Sequence, residues 1–255
     1  MLSTSNSYAS DSVNDQTIPF SSDGLCFPHR VPIGLYRRAV APMHLRAVRL
    51  KESLSELSEI QVSALGQLLP SLLCGEESAF QVFWREGHRV SNVQISRSAA
   101  LANQIALEEL EHERLLQGLR GYCPVPNDVA STILRTRQFF LRMASRDPAV
   151  HFARVAALDS GLCVLLSALV KPLSRAATLI EIFNRIRSDE ARHVRFSRQH
   201  SYELGADTSL LANSAVRVRG ELVDLLYPLG ESFEDLGVDA DHLFRRVNTQ
   251  KDSVA

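Results

Sequence analysis

Two Glu-x-x-His motifs, Glu109-Leu-Glu-His112 and Glu190-Ala-Arg-His193, are the residues best able to do chemistry. On a helix, positions three apart share a face one turn apart, so each motif offers a carboxylate and an imidazole to one metal ion. Both motifs fall inside apolar stripes, where an ionised glutamate or a polar imidazole is costly unless paired. A buried cation provides that pairing. One such motif is a weak signal, because glutamate is common in helices. The case strengthens because each of two further helices carries an inward carboxylate, Glu76 and Asp159, about thirty residues before its motif, the separation that returns an antiparallel helix pair to one height. Glu77 competes with Glu76, since it lies near Phe80 and Trp84; the core-like neighbours Leu72, Leu73, Ala79 and Phe80 favour Glu76. The competing reading is an internal salt-bridge network of a metal-free bundle. It leaves Glu76, Glu109, Asp159 and Glu190 with four negative charges and two neutral histidines that bring none, whereas two divalent cations balance them.

Four long helices must position these groups. The first follows Ser58 with a stripe of Leu65, Leu69, Leu72, Ala79 and Phe83; Pro70 either kinks it or marks its start, and Gly87 weakens its end. The second runs from about Asn92 to Leu119 and is broken by the Gly-Tyr-Cys-Pro-Val-Pro segment. Asp147-Pro148 starts the third, which runs to Val170 with Asp159 inward, and the fourth spans about Leu173 to Leu204 with Gly205 as its stop. Asp128 caps an accessory helix through Phe139 and Phe140, and Asp207 caps another that ends before Pro228. A last short helix covers Asp239 to Val247, and Val31 to Lys51 forms a short helix or an extended segment. The expected fold class is all-α. Residues 1–30, rich in Ser, Asp and Asn, read as a flexible arm; 31–248 form the helical domain and 249–255 a polar tail.

Of the 255 residues, 45% are apolar, ample for a core, and 28 Lys plus Arg balance 29 Asp plus Glu. A net charge of -1 gives no reason to expect a nucleic-acid partner. Cys26, Cys74, Cys123 and Cys163 form no C-x-x-C pair, which argues against a disulfide framework, a zinc ribbon or an internal rubredoxin-type iron site. The start of the chain has neither a basic segment nor an apolar run, so no signal peptide or membrane anchor is expected, and a reducing cytoplasm fits best.

Glu-Glu-Ser in Gly75 to Ala79, the two Glu-x-x-His motifs and the string Ser188 to Val194 together resemble the ferritin-like di-iron carboxylate superfamily over Ser58 to Leu204. In that superfamily a carboxylate helix is followed by a Glu-x-x-His helix, twice over. The resemblance implies a ferritin-like four-helix bundle with accessory helices, in which Glu109 and Glu190 bridge or chelate two metals and His112 and His193 each cap one. Asp159 departs from the pattern, standing where most relatives have glutamate; it shortens the reach by one methylene and either opens a coordination position or weakens the site. Carboxylates with two imidazoles suit iron, with manganese at one position as the variant. The activity implied is a dioxygen-dependent oxidase or oxygenase that hydroxylates, N-oxygenates or desaturates a small or carrier-bound substrate, with electrons from an external reductase or ferredoxin. A homodimer is allowed for. The second reading is a ferritin- or rubrerythrin-like iron-binding or peroxide-reducing protein, and a third is a degenerate bundle that binds partners.

Other polar groups carry open alternatives. Glu108 and Asp189 either orient the opposite histidines or form a solvated helix edge. His200 is read as a hydrogen-bonded core or rim histidine rather than a ligand, and His88 and His151 as surface or capping groups. The aromatics Phe80, Phe83, Trp84, Phe139, Phe140 and Phe183 read as ordinary core.

Overall fold

The computed structural model describes residues 43–91 and 97–249. The arm expected over 1–30 and all but the first residue of the expected tail lie outside the described residues; Thr249 is still helical. The elements are α1 Met43–Leu54, α2 Glu59–Ser91, α3 Arg97–Arg120, α4 Val129–Met143, α5 Pro148–Val170, α6 Ala177–Glu203, α7 Thr208–Leu226, a 3-10 turn Tyr227–Leu229, α8 Gly230–Asp235 and α9 Ala240–Thr249. The described residues contain no strand, so the fold is all-α.

Several helix ends follow local chemistry. Ser58 and Gln61 make a reciprocal capping box at the start of α2: the Gln61 N–H donates to Ser58 Oγ at 3.2 Å and the Ser58 N–H to Gln61 Oε1 at 3.1 Å. Asp147 accepts from the Ala149 N–H at 2.8 Å with Pro148 in the first turn of α5, and Asp207 accepts from the Leu210 N–H at 2.7 Å to open α7. Gly205, at φ 102, stops α6.

Four details depart from the sequence reading. Pro70 does not mark the start of α2, which begins at Glu59 and continues through it with Leu65, Leu68, Leu69 and Leu73 buried on either side; of the two alternatives only the start is excluded. Gly87 lies inside α2 rather than at its end; a Cβ there would sit 2.2 Å from Asn103 Oδ1, so it permits the close approach of α3. Asp128 makes no cap bond to backbone and instead accepts from Thr132 Oγ1 at 3.3 Å. Finally, α6 begins at Ala177, not Leu173, and its exposed donors are met from another helix: the Thr178 and Leu179 N–H groups donate to Ser53 Oγ of α1 at 3.1 and 3.3 Å.

Contacts between elements give the helix directions. Glu76 meets His112 while Gly87 meets Asn103, so α2 and α3 are antiparallel. Ser98 meets Glu203 and His112 meets Asp189, so α3 and α6 are antiparallel. Ser201 donates to the Ala149 carbonyl and Arg187 to Ser167 Oγ, so α5 also runs against α6. It follows that α2 and α6 point one way and α3 and α5 the other, with α4 in the long crossover that joins α3 to α5. Within this frame α1 lies on α6, α4 on α2 and α7, and α9 on α5 and α7. Phe83, Phe152, Phe183, Leu116, Leu166 and Leu169 are fully buried between the long helices. Among the described residues α5 alone is long and apolar enough to cross a membrane, but 61% of that stretch is buried inside the fold.

Glycine substitutions should separate close packing from helix propensity. A Cβ on Gly66 would sit 2.4 Å from the Pro124 carbonyl oxygen, which is backbone and cannot swing aside. Overpacking of about 1–3 kcal/mol then outweighs the ~1 kcal/mol of helix propensity that alanine brings, so Gly66→Ala should lower stability. Gly220→Ala, where an added Cβ meets nothing within 4 Å, should raise it by about 0.5–1 kcal/mol. Urea denaturation of both variants should show shifts of opposite sign; shifts of the same sign would contradict the close approach at Gly66.

Candidate metal centre

Because α3 and α6 run antiparallel, each Glu-x-x-His motif faces the other with its order reversed. His112 and His193 stand with ring centroids 6.0 Å apart. Around His112 Nδ1 lie Glu76 Oε2 at 3.2 Å, Glu109 Oε2 at 3.4 Å and Glu190 Oε1 at 3.6 Å. Around His193 Nδ1 lie Glu109 Oε1 at 2.9 Å and Glu190 Oε2 at 3.7 Å. Glu109 and Glu190 therefore each turn one oxygen to each imidazole. Ligand atoms of Glu76, Glu109, His112 and Glu190 all lie within 4.8 Å of one another and could hold a metal ion. His193 borders this group through Glu109 and Glu190. Asp159, from α5, is buried beside it and feels the charges of Glu190, Glu109, His193 and Glu76. None of the six residues is more than 4% exposed.

The donor set fits a cation. Both oxygens of Glu109, Asp159 Oδ2 and His193 Nδ1 are buried without a hydrogen-bond partner. Such orphaned polar atoms are costly in a protein interior. His193 Nδ1 and Glu109 Oε1 are only 2.9 Å apart yet lack hydrogen-bond geometry. Adjacent ligands on a metal with bonds of about 2.1 Å are separated by about 3 Å, so this spacing suits two atoms aimed at a shared ion.

Electrostatics point the same way. Burial pushes the Glu76 carboxyl well above its usual range, with Glu109 and Glu190 adding to it, and Asp159 is raised by burial and by the same two glutamates. Burial would also raise Glu109, but the His112 and His193 imidazoles close beside it outweigh that and hold the carboxyl low. Burial opposes charge on both histidines, yet the surrounding carboxylates raise them far above the ordinary imidazole value. Protons on the raised acids and imidazoles offset part of the buried charge, and a metal ion could take their place.

A second layer orients the imidazoles. His112 Nε2 donates to Asp189 Oδ2 at 3.0 Å, and His193 Nε2 donates to Glu108 Oε2 at 2.9 Å. A carboxylate only accepts, so Nε2 carries a proton, and once a metal displaces the second proton Nδ1 would be the lone-pair atom facing the cluster. Arg192 ties the two carboxylates together, donating to Asp189 Oδ1 at 2.6 Å and Glu108 Oε1 at 2.9 Å. The His193 N–H foremost, with Gln104 and Arg192, draws the Glu108 pKa down to about 2. Glu108 and Asp189 thus orient the opposite histidines and are not merely a solvated edge.

His200 is not in the cluster. It makes a short hydrogen bond to buried Glu86, which Arg89 Nε also reaches at 2.7 Å. Glu77 is half-buried and outside the group. His151, expected at the surface or as a cap, is instead 4% exposed, and burial with the nearby Arg154 charge lowers its pKa to about 4. His88 is exposed and bonds the Trp84 carbonyl, as a helix-end histidine can. Sequence reasoning missed Glu86, Arg192 and Arg154. Glu86 was detectable as the i,i+3 partner of Arg89 and Arg192 as that of Asp189, whereas Arg154 reaches the carbonyls that end the preceding helix.

An apolar cavity of about 110 Å³ adjoins the cluster, between α2, α4, α5 and α7. Glu76, Glu109, Asp159 and Glu190 form one wall. Val82, Phe139, Phe140, Leu158, Leu162 and Leu222 form much of the rest. Two aromatics assigned to ordinary core, Phe139 and Phe140, therefore line a cavity, while Phe80, Phe83 and Phe183 are core and half-buried Trp84 stacks on Phe80. No family model matches the sequence, and no curated protein or solved structure matches it.

Proposed function

We propose that this chain is a ferritin-like bundle that holds two iron ions and uses dioxygen to oxidise a small organic substrate. The observation that carries the reading is the buried cluster of four carboxylates and two imidazoles, with orphaned ligand atoms, opening onto an apolar cavity. The helix order supports the fold assignment, since one long crossover between α3 and α5 leaves α2 parallel to α6, the connectivity of ferritin-like bundles. The cluster divides into two halves: Glu76 beside His112, and Asp159 on the side of His193, with Glu109 and Glu190 reaching both. Two divalent cations would balance four carboxylates, and oxygen-rich ligation with two imidazoles favours iron, or manganese at one position.

Bound iron would supply the electron transfers to dioxygen that no side chain can perform. The protein's own part is positional. Glu108, Asp189 and Arg192 hold the imidazoles, the apolar walls exclude water, and the cavity aligns the substrate beside the carboxylates. Hydroxylation, N-oxygenation and desaturation all fit such a site. We assign the electrons to an external reductase or ferredoxin, since the four cysteines form no C-x-x-C pair of the rubredoxin type. Cys74, Cys123 and Cys163 are free thiols, which suits the reducing cytoplasm where we place the protein.

Loaded anaerobically with ferrous iron and then mixed with oxygenated buffer, the protein should take up oxygen and oxidise its iron faster than the same iron free in solution. Iron oxidised no faster than in buffer would reject the oxidase reading. Rapid peroxide consumption without oxygen uptake would favour the rubrerythrin-like alternative.

A further inference from the structure

The end of the cavity away from the carboxylate wall is cationic. Arg154 of α5 lines it, half-buried. Its Nη1 donates to the Met143 and Ala144 carbonyls at 3.1 and 3.0 Å, satisfying two acceptors left open at the end of α4. Its Nε is buried and donates to nothing. A guanidinium carries five N–H donors, and the Nε–Nη2 edge, opposite the one used here, grips a carboxylate through two parallel hydrogen bonds. No carboxylate lies within ion-pair distance of Arg154 among the described residues. The nearest acid it senses, Glu221 of α7, is already held by Arg142 of α4 at 2.9 Å and Arg217 at 3.2 Å. Glu221 is thus already matched by two guanidinium groups, and the other titratable side chain here, His151, is kept neutral by burial and the Arg154 charge.

We propose that the cavity binds a small monocarboxylate, its anionic head held by Arg154 and its apolar body reaching towards Glu76, Glu109, Asp159 and Glu190. Arg154 and Asp159 lie five residues apart on α5, about 7.5 Å along the axis at 1.5 Å per residue. An extended hexanoate is of that length. The cavity of about 110 Å³ is somewhat smaller than an engineered apolar cavity of ~150 Å³ that takes benzene, so it can enclose only a short apolar chain, with the anionic head left at half-buried Arg154. This assignment rests on the proposed function only in naming the carboxylate wall as the reacting end; the anionic subsite stands on Arg154 alone.

Titration calorimetry with hexanoate and hexan-1-ol, on both iron-loaded and metal-depleted protein, tests it. Hexanoate should bind both forms more tightly than hexan-1-ol. Arg154→Met should weaken hexanoate by about tenfold or more, the loss expected for a charge-assisted pair, and leave hexan-1-ol and iron content unchanged. Should Arg154→Met loosen the end of α4, Glu221→Gln gives an independent reading, because neutralising that carboxylate should tighten hexanoate. Hexanoate binding unchanged by either substitution, or no preference over hexan-1-ol, overturns the proposal. Hexanoate binding confined to iron-loaded protein also overturns it, since the head would then sit on the metal. A protein that never retains iron yet shows the Arg154-dependent preference sinks the di-iron reading and leaves the anionic subsite intact.

Discussion

Replacing His112 and His193 together with alanine should yield a helical protein that no longer retains metal. Each imidazole turns Nδ1 to the cluster, and Glu109 and Glu190 can serve both halves of the site only while both nitrogens are present. Elemental analysis of natively purified wild type should find about two iron ions per chain, as a two-metal centre requires. The double variant should hold almost none, with its helical circular dichroism retained because Phe83, Leu116, Phe183 and the rest of the apolar core are untouched. The metal-free variant should also melt earlier. In the absence of a cation the imidazoles are what offset the buried Glu109 charge, and removing one partner of a buried pair costs about 3–5 kcal/mol. No iron in wild type, even after anaerobic ferrous loading, would reduce the cluster to an internal salt-bridge network.

Removing the two orienting carboxylates should weaken the site without emptying it. Glu108→Ala with Asp189→Ala deprives both Nε2–H groups of their acceptors, so the rings lose the tautomer and tilt that aim Nδ1 inward. Such substitutions cost about 10–100-fold in metal affinity in comparable sites, or ~1.4–2.8 kcal/mol. Competition against a chelator of known affinity would measure the loss. Glu108 and Asp189 are 20% and 14% exposed, so global stability should change far less than metal affinity. Arg192→Met should produce a smaller loss of the same sign, because Arg192 reaches the histidines only through those carboxylates. A double variant that binds iron as tightly as wild type would show that the carboxylates stabilise the helix edge and have no part in aiming the ligands.

The features legible in the sequence are those decided within one helical turn. The spacing of Glu109 to His112 and of Glu190 to His193, the caps at Asp147 and Asp207 and the stop at Gly205 depend on backbone geometry between near neighbours, and the local order of residues specifies them. The buried stripe of α2 was readable for the same reason, and its inward face picked out Glu76 over Glu77. Asp128 failed as a cap because a side chain so placed has a choice of local partners, and here it took the Thr132 hydroxyl.

Contacts between helices are a different matter, because they depend on the register and direction of elements that no local pattern encodes. Ser53 caps α6 across 125 positions of chain, Gly87 is small because Asn103 passes over it, and His200 finds Glu86 on a helix running parallel to its own. His151 looked like a helix-end residue and became a buried one because other helices cover the start of α5. The cavity exists only because α4 and α7 pack beside the carboxylates between α2 and α5. The sequence by itself determined that these helices form and that the two Glu-x-x-His motifs, Glu76 and Asp159 face inward. Only the tertiary structure decided that Glu108 serves His193, that Asp189 serves His112 and that Arg154 stands at the cavity, since each pairing joins groups brought together solely by helix packing.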